Sequence, residues 1–158
     1  MWPHKAVFYA AMGGGGHFHP AGPIQAPEDI AIRAKEGYPV AGMALAPLMH
    51  GACWWFACIQ LLAGCKLVLN PNRSLVGEQV WDIAERERVN SVTIVGDAMA
   101  RPLAEALEAH PGRWPLQRLA MIVSGGAPLS AHLQARLSAQ LPTTRVMTSL
   151  GKIGRAHV

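Results

Sequence analysis

The chain has 158 residues, enough for one domain with a sizeable core, and with 51% hydrophobic and 15% charged residues it is not a disordered segment. The net charge of +4 comes without any basic patch interleaved with aromatics, which excludes nucleic acid as a partner class. Cys53, Cys58 and Cys65 are odd in number, lack zinc-ligand spacing and sit in an apolar stretch, so they read as reduced, buried thiols of a cytoplasmic protein.

The opening, Met1-Trp2-Pro3-His4-Lys5, lacks the basic and apolar regions of a signal peptide. Residues 4–12 form a predicted helix with Val7, Phe8 and Ala11 at helical spacing, stopped at Gly13. Residues 13–27 are glycine, proline and histidine without a period and read as a mobile loop, where His17 and His19 face solvent rather than a metal. Between Glu36 and Lys66 there is no Lys, Arg, Asp or Glu, a length that would qualify as a membrane span. Pro39, Pro47, His50, Gly51 and Gln60 break it into an apolar strand, residues 40–46, and a buried helix, residues 52–63. At about 1.5 Å per residue that helix is too short to cross a bilayer, so no transmembrane segment is expected.

From Lys66 the pattern is regular: a strand at 67–69, the turn Asn70-Pro71-Asn72-Arg73, and a helix at 75–88. That helix has Val76, Val80, Ile83 and Ala84 on its buried face and Asp82 and Glu85 on its solvated one. A strand at 91–95 ends at Gly96-Asp97. Pro102 belongs in a helix's first turn, which places the next helix at 103–109. The apolar run from Leu119 ends abruptly in Ser124-Gly125-Gly126-Ala127-Pro128, and Ser130 then caps a helix carrying Leu133, Leu137 and Leu141. The last strand is 145–149.

Apolar strands alternating with helices define an α/β fold, a mostly parallel β-sheet flanked on both faces by helices in right-handed crossovers. Such sheets bind ligands beyond the carboxyl ends of their strands. Four segments fall there: residues 47–51, 96–98, 124–128 and 149–151. At Gly125 and Gly126 the backbone is free to take positive φ and admit a flat ligand, although a plain strand-to-helix corner has the same composition.

Ser124-Gly125-Gly126-Ala127-Pro128-Leu129-Ser130 resembles the adenine-binding segment of the adenylate-forming synthetases, the superfamily of acyl-CoA synthetases, firefly luciferase and peptide-synthetase adenylation domains. Pro47-Leu48-Met49-His50-Gly51 is similar to that family's Pro-Leu-x-His-Gly segment, and Val95-Gly96-Asp97-Ala98 to the segment walling its acyl pocket. Thr148-Ser149-Leu150-Gly151 stands where its aromatic-Gly-x-Thr-Glu motif opens, with Leu150 in the place of the aromatic. Met1-Trp2-Pro3-His4 resembles the stretch directly after the family's phosphate-binding loop.

The resemblance implies part of the amino-terminal domain of an acyl-CoA synthetase over residues 1–151. Such an enzyme activates a hydrophobic carboxylic acid with ATP to acyl-AMP, with magnesium, and passes the acyl group to coenzyme A. It implies adenine contacts at Gly125, Gly126, Ala127, Pro128, Ser149, Leu150 and Gly151, and an acyl and thiol site at His50, Gly51, Trp54, Gly96, Asp97 and Ala98. For His50 a buried, hydrogen-bonded side chain is the other reading; for Asp97, a helix cap; for Trp54, Trp55 and Phe56, core packing. The family's phosphate loop, magnesium-binding Glu, ribose-binding aspartate and adenylation lysine match nothing in this chain, so alone it is expected to be inactive. The other functional class is a stand-alone adenine-nucleotide-binding α/β module without catalysis. Residues 152–158 match the translation of a widely used sequencing adapter and are expected to be a tail derived from it.

Overall fold

The computed structural model describes residues 2–16 and 19–149, so the expectations for His17, Leu150, Gly151 and the 152–158 tail lie outside the described residues, as does the side chain of Ser149. The elements in chain order are α1 (His4–Ala10), α2 (Pro27–Glu36), β1 (Ala41–Ala44), α3 (Gly51–Leu62), β2 (Lys66–Leu69), α4 (Gly77–Arg86), β3 (Ser91–Ile94), α5 (Gly96–Ala109), β4 (Met121–Gly125), α6 (Ala131–Gln140) and β5 (Arg145–Ser149). The strands form one sheet, ordered β2-β1-β3-β4-β5, and every pairing is parallel, as the continuous apolar runs require.

Alternation along each strand separates two faces. Met43, Val68, Val92, Ile94, Ile122 and Val146 point into one core with Val80, Trp81, Leu103, Leu133 and Leu137 from α4, α5 and α6. Trp81 is fully buried there and donates its indole N–H to the Leu103 carbonyl at 2.9 Å. Gly77 lets α4 and α5 close up, because a Cβ on it would stand 2.2 Å from the Pro102 carbonyl oxygen. On the other face Ala44 packs with Cys53, Leu48, Phe56 and Leu67 under α3. That face is covered less evenly than expected: Met121 and Val123 of β4 are half-buried, and Met147 of β5 is exposed.

The amino end of the sheet is tied by Asn90. Its Oδ1 accepts the N–H of Ala41 at 2.8 Å, its Nδ2 donates to the Arg118 carbonyl at 3.2 Å, and its own carbonyl accepts from Ala120 at 2.8 Å. The acidic side of α4 also makes tertiary hydrogen bonds, with Asp82 exposed as its pattern implies and Glu85 half-buried. Asp82 accepts from Arg113 and from the indole of Trp114 at 2.7 Å, and Glu85 accepts the N–H of Leu116, so together they hold the loop before β4.

Three expectations are corrected. α2 lies in a stretch with no predicted element, and its buried Arg33 donates to the Gly22 carbonyl at 2.7 Å. With Ile24 buried and Tyr9 donating to the Ile24 carbonyl at 3.0 Å, this pins the described part of the glycine-rich loop that composition marks as mobile. α5 starts at Gly96 instead of Leu103, carrying Pro102 in its interior; the ring costs that helix one N–H but does not end it. α3 is not a buried helix, since only Cys53, Ala57 and Gln60 are fully covered. Of the cysteines, all free, Cys53 alone is buried.

Candidate functional site

The sheet order places the ends of β1, β3, β4 and β5 side by side, which brings the four segments at residues 47–51, 96–98, 124–128 and 149–151 to one edge as far as they are described. The register carries Gly125 opposite Ser149 on the last pair.

The segments after β3 and β4 are bonded to each other. The fully buried hydroxyl of Ser124 accepts the N–H of Gly96 at 3.0 Å, the N–H of Asp97 donates to the Pro128 carbonyl at 3.2 Å, and Asp97 Oδ1 accepts the N–H of Ser130 at 2.7 Å. Gly96 has φ +58°, and a Cβ there would meet the Pro128 carbonyl oxygen at 2.6 Å. Only glycine fits so close an approach at that angle. Asp97 therefore does not cap its own helix, whose cap residue is Val95. Its carboxylate instead holds the residue that caps the next one, since Ser130 Oγ accepts from Leu133 at 3.4 Å.

The turn itself is open. Gly126 has φ +84° and is exposed, as is Pro128, while Gly125 and Ala127 are half-buried, so among the described residues this backbone is open to a planar ligand. This composition fits an adenine ring. Among the described residues no group of three His, Cys, Asp or Glu is arranged to hold a metal ion.

His50 occupies the cap position of α3, exposed, without a side-chain cap bond, which removes the alternative of a buried histidine. Gly51 is exposed beside it, as is Ala98 in the first turn of α5. Trp54 and Trp55 are 51% and 44% exposed, so neither is a core residue, and Phe56 is half-buried. His19 Nδ1 accepts the N–H of Ala21 at 3.1 Å.

A cavity of about 340 Å³ opens at the ends of β1 and β2, lined by Ala44, Ala46, Leu48, Leu69, Leu75 and Met99 with Asn70, Asn72 and Arg73 as polar lining. It joins the 47–51 segment to the first turn of α5. Residues 69–75 were not among the expected site residues; the Asn70-Pro71 turn ends β2 on the same edge, and the strand-end rule, applied to β2 as well, includes it.

An edge of this kind, on a parallel sheet ordered β2-β1-β3-β4-β5 with helices on both faces, defines a doubly wound α/β domain. Its particular lineage is given by sequence: the chain belongs to the AMP-binding enzyme family, whose profile matches residues 6–151. It is 35% identical over 153 residues to the medium-chain acyl-CoA ligase Mig of Mycobacterium avium, covering 96% of this chain and 27% of that protein. To the 3-oxocholest-4-en-26-oate–CoA ligase of Rhodococcus rhodochrous it is 30% identical over 155 residues, with the same coverage. The chain thus spans about a quarter of the length of these curated relatives. In fold it is similar to a luciferase-like enzyme from the mealworm Zophobas morio, with a TM-score of 0.64 at 18% identity over 79% of this chain and 28% of that one. The amino-terminal domain of FACL13 from Mycobacterium tuberculosis gives 0.59 at 20% identity over 78% and 32%. Among the described residues no helix is long and apolar enough to cross a membrane.

Proposed function

We propose that the chain is the central part of the amino-terminal domain of a cytoplasmic acyl-CoA synthetase of fatty acid metabolism, acting on a hydrophobic carboxylic acid, ATP and coenzyme A. The observation that carries this reading is the bonding of the 96–98 segment to the 124–130 turn within an AMP-binding family chain, which supports an acyl side adjoining an adenine slot. The names of the relatives, acyl-CoA ligases for medium-chain and steroid acids, support the substrate class.

In the reaction the carboxylate oxygen attacks the α-phosphorus of ATP and pyrophosphate leaves; the thiol of coenzyme A then attacks the acyl carbon and AMP leaves. Gly125, Gly126, Ala127 and Pro128, with the 149–151 segment, hold adenine. The acyl chain takes the apolar cavity, backed by the segment Gly96, Asp97 and Ala98, in which Asp97 holds the turn through Pro128 and Ser130 rather than touching the chain, and His50, Gly51 and Trp54 serve the thiol side. The phosphate, magnesium and ribose contacts come from parts of the enzyme beyond these residues, so the chain alone binds without turning over.

The test has two arms. Titration of the chain with AMP shifts the amide resonances of residues 125–127, and the gene upstream of Met1 reads Thr-Ser-Gly-Thr-Thr-Gly in frame. Shifts confined to other residues, or an upstream frame without that loop, refute the reading.

A further inference from the structure

We propose that Asp97 and Ser124 couple filling of the acyl side to the grip of the adenine turn, so that the two ligands alter each other's affinity; the proposal rests on the assignment of adenine to residues 125–128 and of the acyl chain to the apolar cavity. The path is contiguous. Met99 lines the 340 Å³ cavity, and its sulfur accepts the N–H of Val95 at 3.3 Å, which fixes it to the first turn of α5. From that turn three hydrogen bonds cross to the adenine segment, two of them made by Asp97. Its N–H and its carboxylate grip Pro128 and Ser130, the far end of the turn, while Ser124 takes the N–H of Gly96 at the near end.

The approach of Gly96 to Pro128 leaves no slack between the segments, because even a methyl group would overlap. An acyl chain that displaces Met99 therefore moves the first turn of α5 and, through Asp97, the 128–130 backbone. Coupling of this kind is reciprocal: each ligand changes the other's affinity by one factor. Asp97 is a positioning residue here and needs no contact with either ligand.

The experiment is calorimetric titration of the chain with AMP, alone and with saturating octanoate as the acyl probe, then the reverse. The expected result is a change of about fivefold or more in AMP affinity, matched in the reverse titration. Asp97→Ala abolishes the change, and Asp97→Asn, which keeps an Oδ1 acceptor, retains it. A merely structural role for Asp97 would lower stability in both variants without a coupling to lose. AMP binding indifferent to octanoate overturns the coupling and leaves the adenine assignment standing. No AMP binding at all overturns the adenine assignment, and the coupling falls with it. Should Asp97→Ala not fold, amide exchange in the unsubstituted chain decides: octanoate alone changes protection at Gly96 and Ser130 if the path exists, and unchanged protection at both overturns it.

Discussion

The side chain of Ser124 and the backbone of Gly96, on neighbouring strand ends, share one hydrogen bond of 3.0 Å with both residues buried. Ser124→Ala leaves the Gly96 N–H without a partner and without water, a loss of about 1–3 kcal/mol. Urea unfolding should show a lower midpoint at unchanged slope, and an unchanged midpoint would mean that the amide finds another acceptor.

Two glycines with positive φ make a controlled pair. Gly112 has φ +77° and open space around its Cβ position, so Gly112→Ala carries backbone strain alone, about 1–2 kcal/mol. Gly96→Ala adds overlap with the Pro128 carbonyl and the Ala127 Cβ, about 1–3 kcal/mol more. Equal losses, measured by thermal unfolding of both variants, would show that the 126–128 turn yields freely.

Trp81 and Trp54 offer the same side chain in opposite settings. Trp81→Ala opens a cavity in the core and removes the indole hydrogen bond to the Leu103 carbonyl, for about 3–5 kcal/mol. Trp54→Ala should stay within about 0.5 kcal/mol, since half of that residue already faces water. A loss above about 2 kcal/mol at Trp54 would make it part of the core, contrary to its exposure here.

Burial pushes the Cys53 thiol up from its ordinary value of 9.0, against a smaller opposing effect from its hydrogen bond to the Ala46 backbone. The folded chain thus holds this proton more tightly than the unfolded one. The stabilisation is full below pH 9.0 and is lost as pH rises through the raised value. Iodoacetamide at pH 8 should label Cys53 far more slowly in the native chain than in urea, and equal rates would contradict its burial.

The strands were legible because β1 to β4 are mostly apolar runs followed by Pro or Gly; β5 has its expected bounds, and Ser130 caps α6 as its position implies. α2 was missed although Pro27 opens it, Glu28 and Asp29 charge its first turn and Gly37 ends it, because its apolar stripe is too thin to show against the loop before it. The start of α5 was hidden by Pro102, read as a first-turn proline where the helix absorbs it six residues in. The partner of Asp97 lies 33 residues away and was beyond any local pattern. For Trp54 and Trp55, local apolarity indicates a preference for cover but cannot name the side that receives it.

Asn90 joins the starts of three strands, β1, β3 and β4, the last through the N–H groups of Ala120 and Met121, at the rim opposite the carboxyl ends of the strands. The two rims therefore answer to different selection. A change at Asn90 is felt by the whole ladder as lost register, whereas changes at Pro47, Leu48, Asn70, Asn72, Arg73 or Ser74 alter the lining of one cavity and leave the ladder as it was. The lining of the cavity is therefore free to vary at one rim while the other keeps the strands in step, so a changed pocket does not ask the sheet to fold differently.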